Sequence, residues 1–347
     1  MNDRSSSSYC DATNPQERRH PTIRQVAVVG TGVIGRSWIR VFTRAGCRTR
    51  VYDPSPRQVE HALAWLEENL SLDVADGLIS ATEAREQRAR VTPHKDLGET
   101  LDGAGYLQES GPEEIDLKRD VFLQLDRASG IQTIIGSSTS GLDMTDITRG
   151  LPGARRCIVT HPVNPPHVIP VVEVVGGKHT DPEVTSKTYE FMSSVGQKPV
   201  FLNSYVSGFL LNRMQAALIR EAIHLVEQGV ADVQAVDTVI SEGLGLRWAL
   251  MGPFGVANTN ADGGIREYFT RYREAYIEDM NDLGPTPSLD REMIERLGQG
   301  TDDMFNGTSH SDIRRWRDRV AQKVCAVKRS DPAPIRPVIF TRGLRQC

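Results

Sequence analysis

Two residues twelve positions apart, His161 and Glu173, are the pairing in this chain best suited to chemistry. His161 closes the apolar run Cys157-Ile158-Val159-Thr160 and precedes Pro162. Glu173 stands inside a second apolar run, Val171-Val172-Glu173-Val174-Val175. A carboxylate there is costly to bury without a partner, and His161 is the obvious one. An imidazole titrates near neutrality, so it can both take and return a proton. A carboxylate on its other ring nitrogen fixes the tautomer and stabilises the imidazolium. Such a pair suits the oxidation of a secondary alcohol, in which the hydroxyl proton and a hydride leave together.

A hydride needs an acceptor, and a second constellation supplies a place for one. The segment Gly30-Thr31-Gly32-Val33-Ile34-Gly35 follows a strand-like run, Gln25 to Val29, and opens a helical stretch from Val33 to Ala45. An acidic residue, Asp53, ends the next strand-like run, Arg48 to Asp53. These contexts make the glycine pattern a dinucleotide fingerprint. Gly30 allows the tight turn, Gly32 lets backbone approach a pyrophosphate, and Gly35 lets the helix pack on the sheet. Asp53 can accept from the ribose hydroxyls and would repel a 2′-phosphate, so NAD is expected over NADP.

The elements around these residues read as α/β. Gln25–Val29 and Arg48–Asp53 with the helix between them form a βαβ opening, which predicts a parallel sheet. Residues 56–90 predict one or two amphipathic helices outside the sheet. Further strands are expected near 105–108, 133–136, 157–160, 171–175 and 199–202, with a helix over 116–128. Beyond Ser207 the strand-type runs stop, and 208–227 and 231–242 carry helical spacing. The reading is a mobile segment at 1–22, a doubly wound nucleotide-binding domain at 23–203, an all-helical domain at 204–329 and a loose tail at 330–347.

The chain has 347 residues, 39% of them hydrophobic and 25% charged, with a formal charge of −4. That balance gives no reason to expect nucleic acid as a partner. Arg314, Arg315 and Arg317 around Trp316 read as the wet face of a helix. The five cysteines show neither pairing nor metal-ligand spacing, as free thiols in a reducing compartment would, and no metal is expected. With no signal-type apolar core and no run of about 18 apolar residues, the expectation is a cytoplasmic protein without a membrane span.

Four segments together resemble the 3-hydroxyacyl-CoA dehydrogenase superfamily: Gly30–Gly35, Gly136–Leu142, His161–Pro166 through Glu173, and Gly208–Arg213. The resemblance covers about residues 24–328. The phrase from Ile169 to Val175, the tract Leu244–Pro253 and the arginines around Trp316 resemble its lambda-crystallin branch, the L-gulonate 3-dehydrogenases. L-carnitine dehydrogenases share the Leu244–Pro253 type of phrase. The resemblance implies a Rossmann-type N-terminal domain and a helical C-terminal domain that forms a homodimer. It makes His161 and Glu173 the catalytic pair. It makes Ser140 the serine that hydrogen-bonds the substrate oxygen and Asn212 the asparagine that helps position substrate. Glu113 and Lys118 match positions near the nicotinamide ribose and substrate, although Glu113–Lys118 also reads as an ordinary acidic helix start.

Within the resemblance, Arg247-Trp248 stands where the CoA-dependent members carry uncharged residues. An arginine can hold a free carboxylate bidentately, and a thioester offers no such anion. Arg247 is therefore expected to pair with the carboxylate of a small free 3-hydroxy acid. His167, in place of an aromatic residue, and Asn258-Thr259-Asn260 depart from the branch pattern. They leave 3-hydroxybutyrate, carnitine and a 3-hydroxyacyl-CoA open beside L-gulonate. A non-catalytic NAD-binding protein is the alternative of another class.

Overall fold

A computed structural model describes residues 21–331. The terminal stretches expected to be mobile or loose lie almost wholly outside these residues. The chain divides into two units, the first ending at Ser204 and the second starting at Tyr205.

The first unit is a sheet of eight strands with helices around it. Strand β1 (Gln25–Val29), helix α1 (Val33–Arg44) and β2 (Arg48–Tyr52) make the opening βαβ unit. Two helices follow, α2 (Pro56–Ala75) and α3 (Ala81–Ala89), the second closed by a capping box between Ser80 and Glu83. A short edge strand β3 (Val91–Pro93) and helix α4 (Leu97–Leu101) come next. The chain then crosses to the other side of β1 with β4 (Tyr106–Glu109), α5 (Ile115–Ala128), β5 (Ile134–Ser137), α6 (Met144–Ile147) and β6 (Cys157–Pro162). It ends with β7 (Val171–Gly176), α7 (Pro182–Ser194) and β8 (Lys198–Leu202). The strand order β3-β2-β1-β4-β5-β6-β7-β8 is the Rossmann order extended by two strands. Its switch point lies between β1 and β4, where ligands of open α/β sheets bind.

The sheet is not wholly parallel, as the opening βαβ unit led one to expect. Strand β7 runs antiparallel to β6, and β8 is parallel to β7. The reason is connection length: only residues 163–170 join β6 to β7. A parallel return needs a crossover of about a dozen residues or more. β3 and α4 also escape the sequence reading, being three and five residues long.

The core of this unit packs α1 and α7 on the sheet. Trp38 and Phe42 of α1 stack at 5.3 Å, and Phe42 meets Tyr106 of β4 and Phe191 of α7. All four rings are fully buried. At this depth the polar atoms are paired: the Tyr106 hydroxyl meets Gln108 Oε1 at 2.7 Å and Thr160 Oγ1 at 2.9 Å.

The second unit is helical: α8 (Leu211–Glu227), α9 (Val233–Thr238), α10 (Gly245–Leu250), α11 (Pro253–Thr259), α12 (Gly264–Arg271), α13 (Arg273–Asp282), α14 (Arg291–Phe305) and α15 (His310–Ser330). A π-helical turn, Val239–Leu244, joins α9 to α10. The first helix starts later than the apolar spacing from Gly208 suggests. Gly208 and Phe209 have φ of 75° and 48°, a left-handed corner that a helix cannot include. Arg314, Arg315 and Arg317 are exposed along α15. No described helix is long and apolar enough to cross a membrane.

Candidate active site

The edge formed by the C-terminal ends of β1, β4, β5 and β6 gathers most of the expected site residues. At β1 the chain turns through Gly30, whose φ of 86° suits glycine. A side chain there would also meet the Ser110 carbonyl at 2.7 Å. A Cβ on Gly35 would run into the Gly30 carbonyl, so helix α1 can approach the turn only with glycine at this point. Beside Gly32 there is open space instead. The result is a bare backbone cradle at a helix N-terminus, with Thr31, Val33 and Ile34 completing the turn, and it fits a dinucleotide pyrophosphate. Asp53 follows β2. Its carboxylate accepts from the Thr31 N–H at 2.8 Å, from the Thr31 hydroxyl at 3.2 Å and from the Ser55 N–H at 2.9 Å. Asp53 thereby ties the end of β2 to the glycine turn.

His161 and Glu173 are opposite one another in the β6–β7 register. Residues so placed share a face of the sheet, with Cβ atoms about 4.5–5.5 Å apart. His161 Nδ1 lies 2.8 Å from Glu173 Oε2, and both side chains are buried. The spacing of twelve in sequence is thus the length of a tight antiparallel return.

Ser140 lies in the turn after β5, held by Glu113. One oxygen of Glu113 accepts from the Thr139 hydroxyl at 2.7 Å, the Ser140 N–H at 2.8 Å, the Ser140 hydroxyl at 3.1 Å and the Gly141 N–H at 3.1 Å. Of the alternatives in the Ser137–Ser140 run, Ser137 faces inward to Glu109, and Thr139 accepts from the Leu142 N–H at 3.0 Å.

Lys118 is only 1% exposed. Its ammonium donates to both oxygens of Glu109, at 2.9 and 3.0 Å, and to the Gly111 carbonyl at 3.1 Å. Those contacts use all three protons of the ammonium. The Glu113 carboxylate is 3.9 Å away. Glu109 also accepts from the Ser137 hydroxyl at 2.7 Å and the Gly111 N–H at 2.6 Å. The sequence reading did not single out Glu109. Its only signal is a carboxylate ending a strand run that is otherwise buried. Ser138 was also missed as a junction: its hydroxyl takes donors from Trp38 at 3.1 Å and Gln108 at 2.7 Å, and meets Ser110 at 2.9 Å.

Asn212 and Arg247 belong to the second unit. Asn212 is in the first turn of α8. Arg247 is exposed in the last turn of α10. Its charge acts on the Tyr276 phenol, whose pKa is raised chiefly by the 2.8 Å hydrogen bond to Tyr268. Among the described residues no group of three or more His, Cys, Asp or Glu could hold a metal ion.

Comparison with known proteins gives these arrangements a family. Residues 25–205 match the NAD-binding domain of 3-hydroxyacyl-CoA dehydrogenase, and 208–305 match its C-terminal domain. The bovine lambda-crystallin homolog is 39% identical over 310 residues, which is 88% of this chain and 96% of that protein. L-carnitine dehydrogenase from Streptomyces griseus is 38% identical over 305 residues, 86% of this chain and 88% of that protein. Among solved structures, an NAD-dependent dehydrogenase of 5-formyl-3-hydroxy-2-methylpyridine 4-carboxylic acid superposes with a TM-score of 0.73 at 28% identity, covering 89% of this chain and 98% of that one. The 3-hydroxybutyryl-CoA dehydrogenase of Escherichia coli gives a TM-score of 0.61 at 28% identity over 68% of this chain and 49% of that one. The chain therefore belongs to the 3-hydroxyacyl-CoA dehydrogenase family, as an NAD-dependent oxidoreductase of 3-hydroxy acids or their thioesters.

Proposed function

We propose that this enzyme oxidises the 3-hydroxyl of a small free hydroxy acid, with L-gulonate as the leading candidate and His161 as the general base. The observation that carries the base assignment is the buried His161–Glu173 pair, 2.8 Å apart. Nδ1 is turned to the carboxylate, and Nε2 is the ring nitrogen assigned to take the hydroxyl proton. Glu173 fixes that tautomer and stabilises the imidazolium as it forms. NAD, when bound, supplies the acceptor for the hydride that leaves the same carbon. Ser140 and Asn212 are proposed to hold the reacting oxygen and the substrate, and Arg247 to pair with the carboxylate. Glu113 is proposed to set the Ser140 turn beside the nicotinamide ribose.

The free-acid reading is supported by the 38% identity to an L-carnitine dehydrogenase, whose substrate is a free 3-hydroxy acid, against 28% for the acyl-CoA enzyme above. The same likeness makes L-carnitine the second substrate to test. We further propose a homodimer formed through the helical unit. There Leu246, Leu250 and Phe254 are 58–72% exposed, an apolar burden that a single copy leaves in water. The cytoplasm is the proposed location.

The deciding assay follows NADH absorbance with NAD and a panel of L-gulonate, L-carnitine, L-3-hydroxybutyrate and 3-hydroxybutyryl-CoA, with His161→Ala as control. Turnover of a free acid that vanishes in the variant is the expected result. Turnover of the thioester alone would move the enzyme to the acyl-CoA branch.

A further inference from the structure

The buried and half-buried arginines of the first unit follow a pattern with one exception. Arg40, Arg50, Arg88, Arg90, Arg119 and Arg156 are buried or half-buried, and each has a carboxylate oxygen within 4.0 Å. Arg36 is half-buried and has none among the described residues. Its Nε is buried without a hydrogen-bond partner. Burial lowers its pKa, with no neighbouring acid to oppose the shift.

The contrast with Arg40 is local. Both arginines lie on α1, one turn apart. On α2, Trp65, Asn69 and Asp73 follow at four-residue intervals and so share a face. Arg40 meets Asp73 in an ion pair and Asn69 at 3.3 Å. At the end of that face nearest the glycine turn, the partner is aromatic rather than acidic. The Arg36 guanidinium lies over the Trp65 ring, 4.8 Å from its centroid. A tryptophan face orients a guanidinium and excludes water from one side without neutralising it.

The position of this cation says what could neutralise it. Arg36 directly follows Gly35 of the dinucleotide turn. Trp65 also meets the His167 ring in a T-shaped contact, at 5.3 Å and 81°. His167 belongs to the connection that leaves β6 after His161 and Pro162. The cluster thus joins the cofactor helix to the segment running on from the proposed base. Two anions are candidates to neutralise it, a cofactor phosphate or the carboxylate of the substrate. The pyrophosphate already has the backbone N–H groups and dipole of the helix N-terminus. The planar fork of an oriented guanidinium fits a carboxylate and a phosphate alike, and of the two the substrate carboxylate has no such backbone cradle in this unit.

We propose that Arg36, held over Trp65, anchors the carboxylate of the hydroxy-acid substrate and selects free acids. The assignment rests on the free-acid reading and adds a guanidinium in the dinucleotide-binding unit to the one proposed at Arg247.

The test uses the full-length enzyme and its Arg36→Gln and Arg36→Lys variants. It compares L-3-hydroxybutyrate with its uncharged methyl ester, and NADH affinity is read by fluorescence. Losing a charge-assisted bidentate contact should raise KM for the free acid about 10- to 100-fold in Arg36→Gln. Arg36→Lys should fall between, while kcat/KM for the ester and the Kd of NADH stay within about twofold of wild type. Arg36→Lys keeps the charge, so it carries the test should Arg36→Gln fail to fold. Weaker NADH binding, with acid and ester impaired alike, would assign the cation to a cofactor phosphate and overturn the proposal. An unchanged KM for the acid would overturn it too, while the free-acid reading stands on wild-type turnover. A wild type that turns over only the CoA thioester would instead bring down the free-acid reading itself.

Discussion

The ammonium of Lys118 is bound by both oxygens of Glu109, at 2.9 and 3.0 Å, with both side chains 1% exposed. Lys118 sits on α5 and Glu109 at the end of β4, so the pair fixes the turn between them. Through the Ser137 hydroxyl, Glu109 also reaches the end of β5, where the Ser140 turn begins. Removing one partner of a buried pair leaves the other charge uncompensated and costs about 3–5 kcal/mol. Lys118→Met is expected to lose stability by that amount in urea unfolding. The double variant Glu109→Gln/Lys118→Met should regain most of it. A double variant as unstable as the single one would show that packing, not charge, dominates there.

Glu173 offers a sharper separation of folding from chemistry. Glu173→Gln keeps the shape and a hydrogen-bonding group opposite His161, but it no longer stabilises the imidazolium. General acid–base groups contribute about 10²- to 10⁴-fold to rate, and the orienting carboxylate of a triad acts at the upper end of that range. The expected outcome is a fall in kcat of that order, with NADH affinity and melting temperature close to wild type. Steady-state kinetics beside a thermal melt checks it. An active Glu173→Gln enzyme would reduce Glu173 to a structural partner.

The parts of this fold that are legible in the sequence are those whose signal is local. Gln25–Val29 is an apolar strand ended by a glycine turn, and the structure forms it over those residues. The His161–Glu173 pairing is legible because a charged residue inside Val171–Val175 demands a partner. What cannot be read is what depends on a partner brought in by the fold. Glu109 looks like any acidic strand end until Lys118 and Ser137 arrive from two other elements. The antiparallel turn of β7 is different: its signal is the short gap at 161–170 between two expected strands, not hydrophobic spacing. Arg36 is a case like Glu109: its significance lies in the acid that is missing at Trp65.

Asp53 links cofactor choice to the shape of the glycine turn. Three of its hydrogen bonds go to Thr31 and Ser55, and about four lone-pair sites exist on a carboxylate. Asp53→Ala therefore removes both the repulsion of a 2′-phosphate and a tie on the Thr31 N–H. The KM for NAD is expected to rise about tenfold, the scale of hydrogen bonds to a charged group. The NADP to NAD ratio of kcat/KM should rise by a similar factor. Kinetics with both cofactors measures this, and an unchanged ratio would remove Asp53 from cofactor discrimination.

The thiols give a prediction about pH. Cys47 and Cys157 are both fully buried, and burial pushes each thiol up to about 12. The thiolate is the reactive form, so neither should be alkylated in the folded protein at pH 8, while both should react in urea. The sign for stability follows from linkage. An unfolded cysteine ionises near pH 8.5, while the folded ones stay protonated to about 12. Above pH 8.5 the native state therefore binds more protons than the unfolded one, and unfolding is favoured as pH rises. The contribution of these thiols is fully present below about pH 8.5 and is lost progressively toward pH 12. Urea midpoints at pH 7.5 and 10 should fall with pH, and a Cys47→Ala/Cys157→Ala variant should lose part of that slope. Rapid labelling of either cysteine in the native protein at pH 8 would contradict the full burial of Cys47, just before β2, and of Cys157, the first residue of β6.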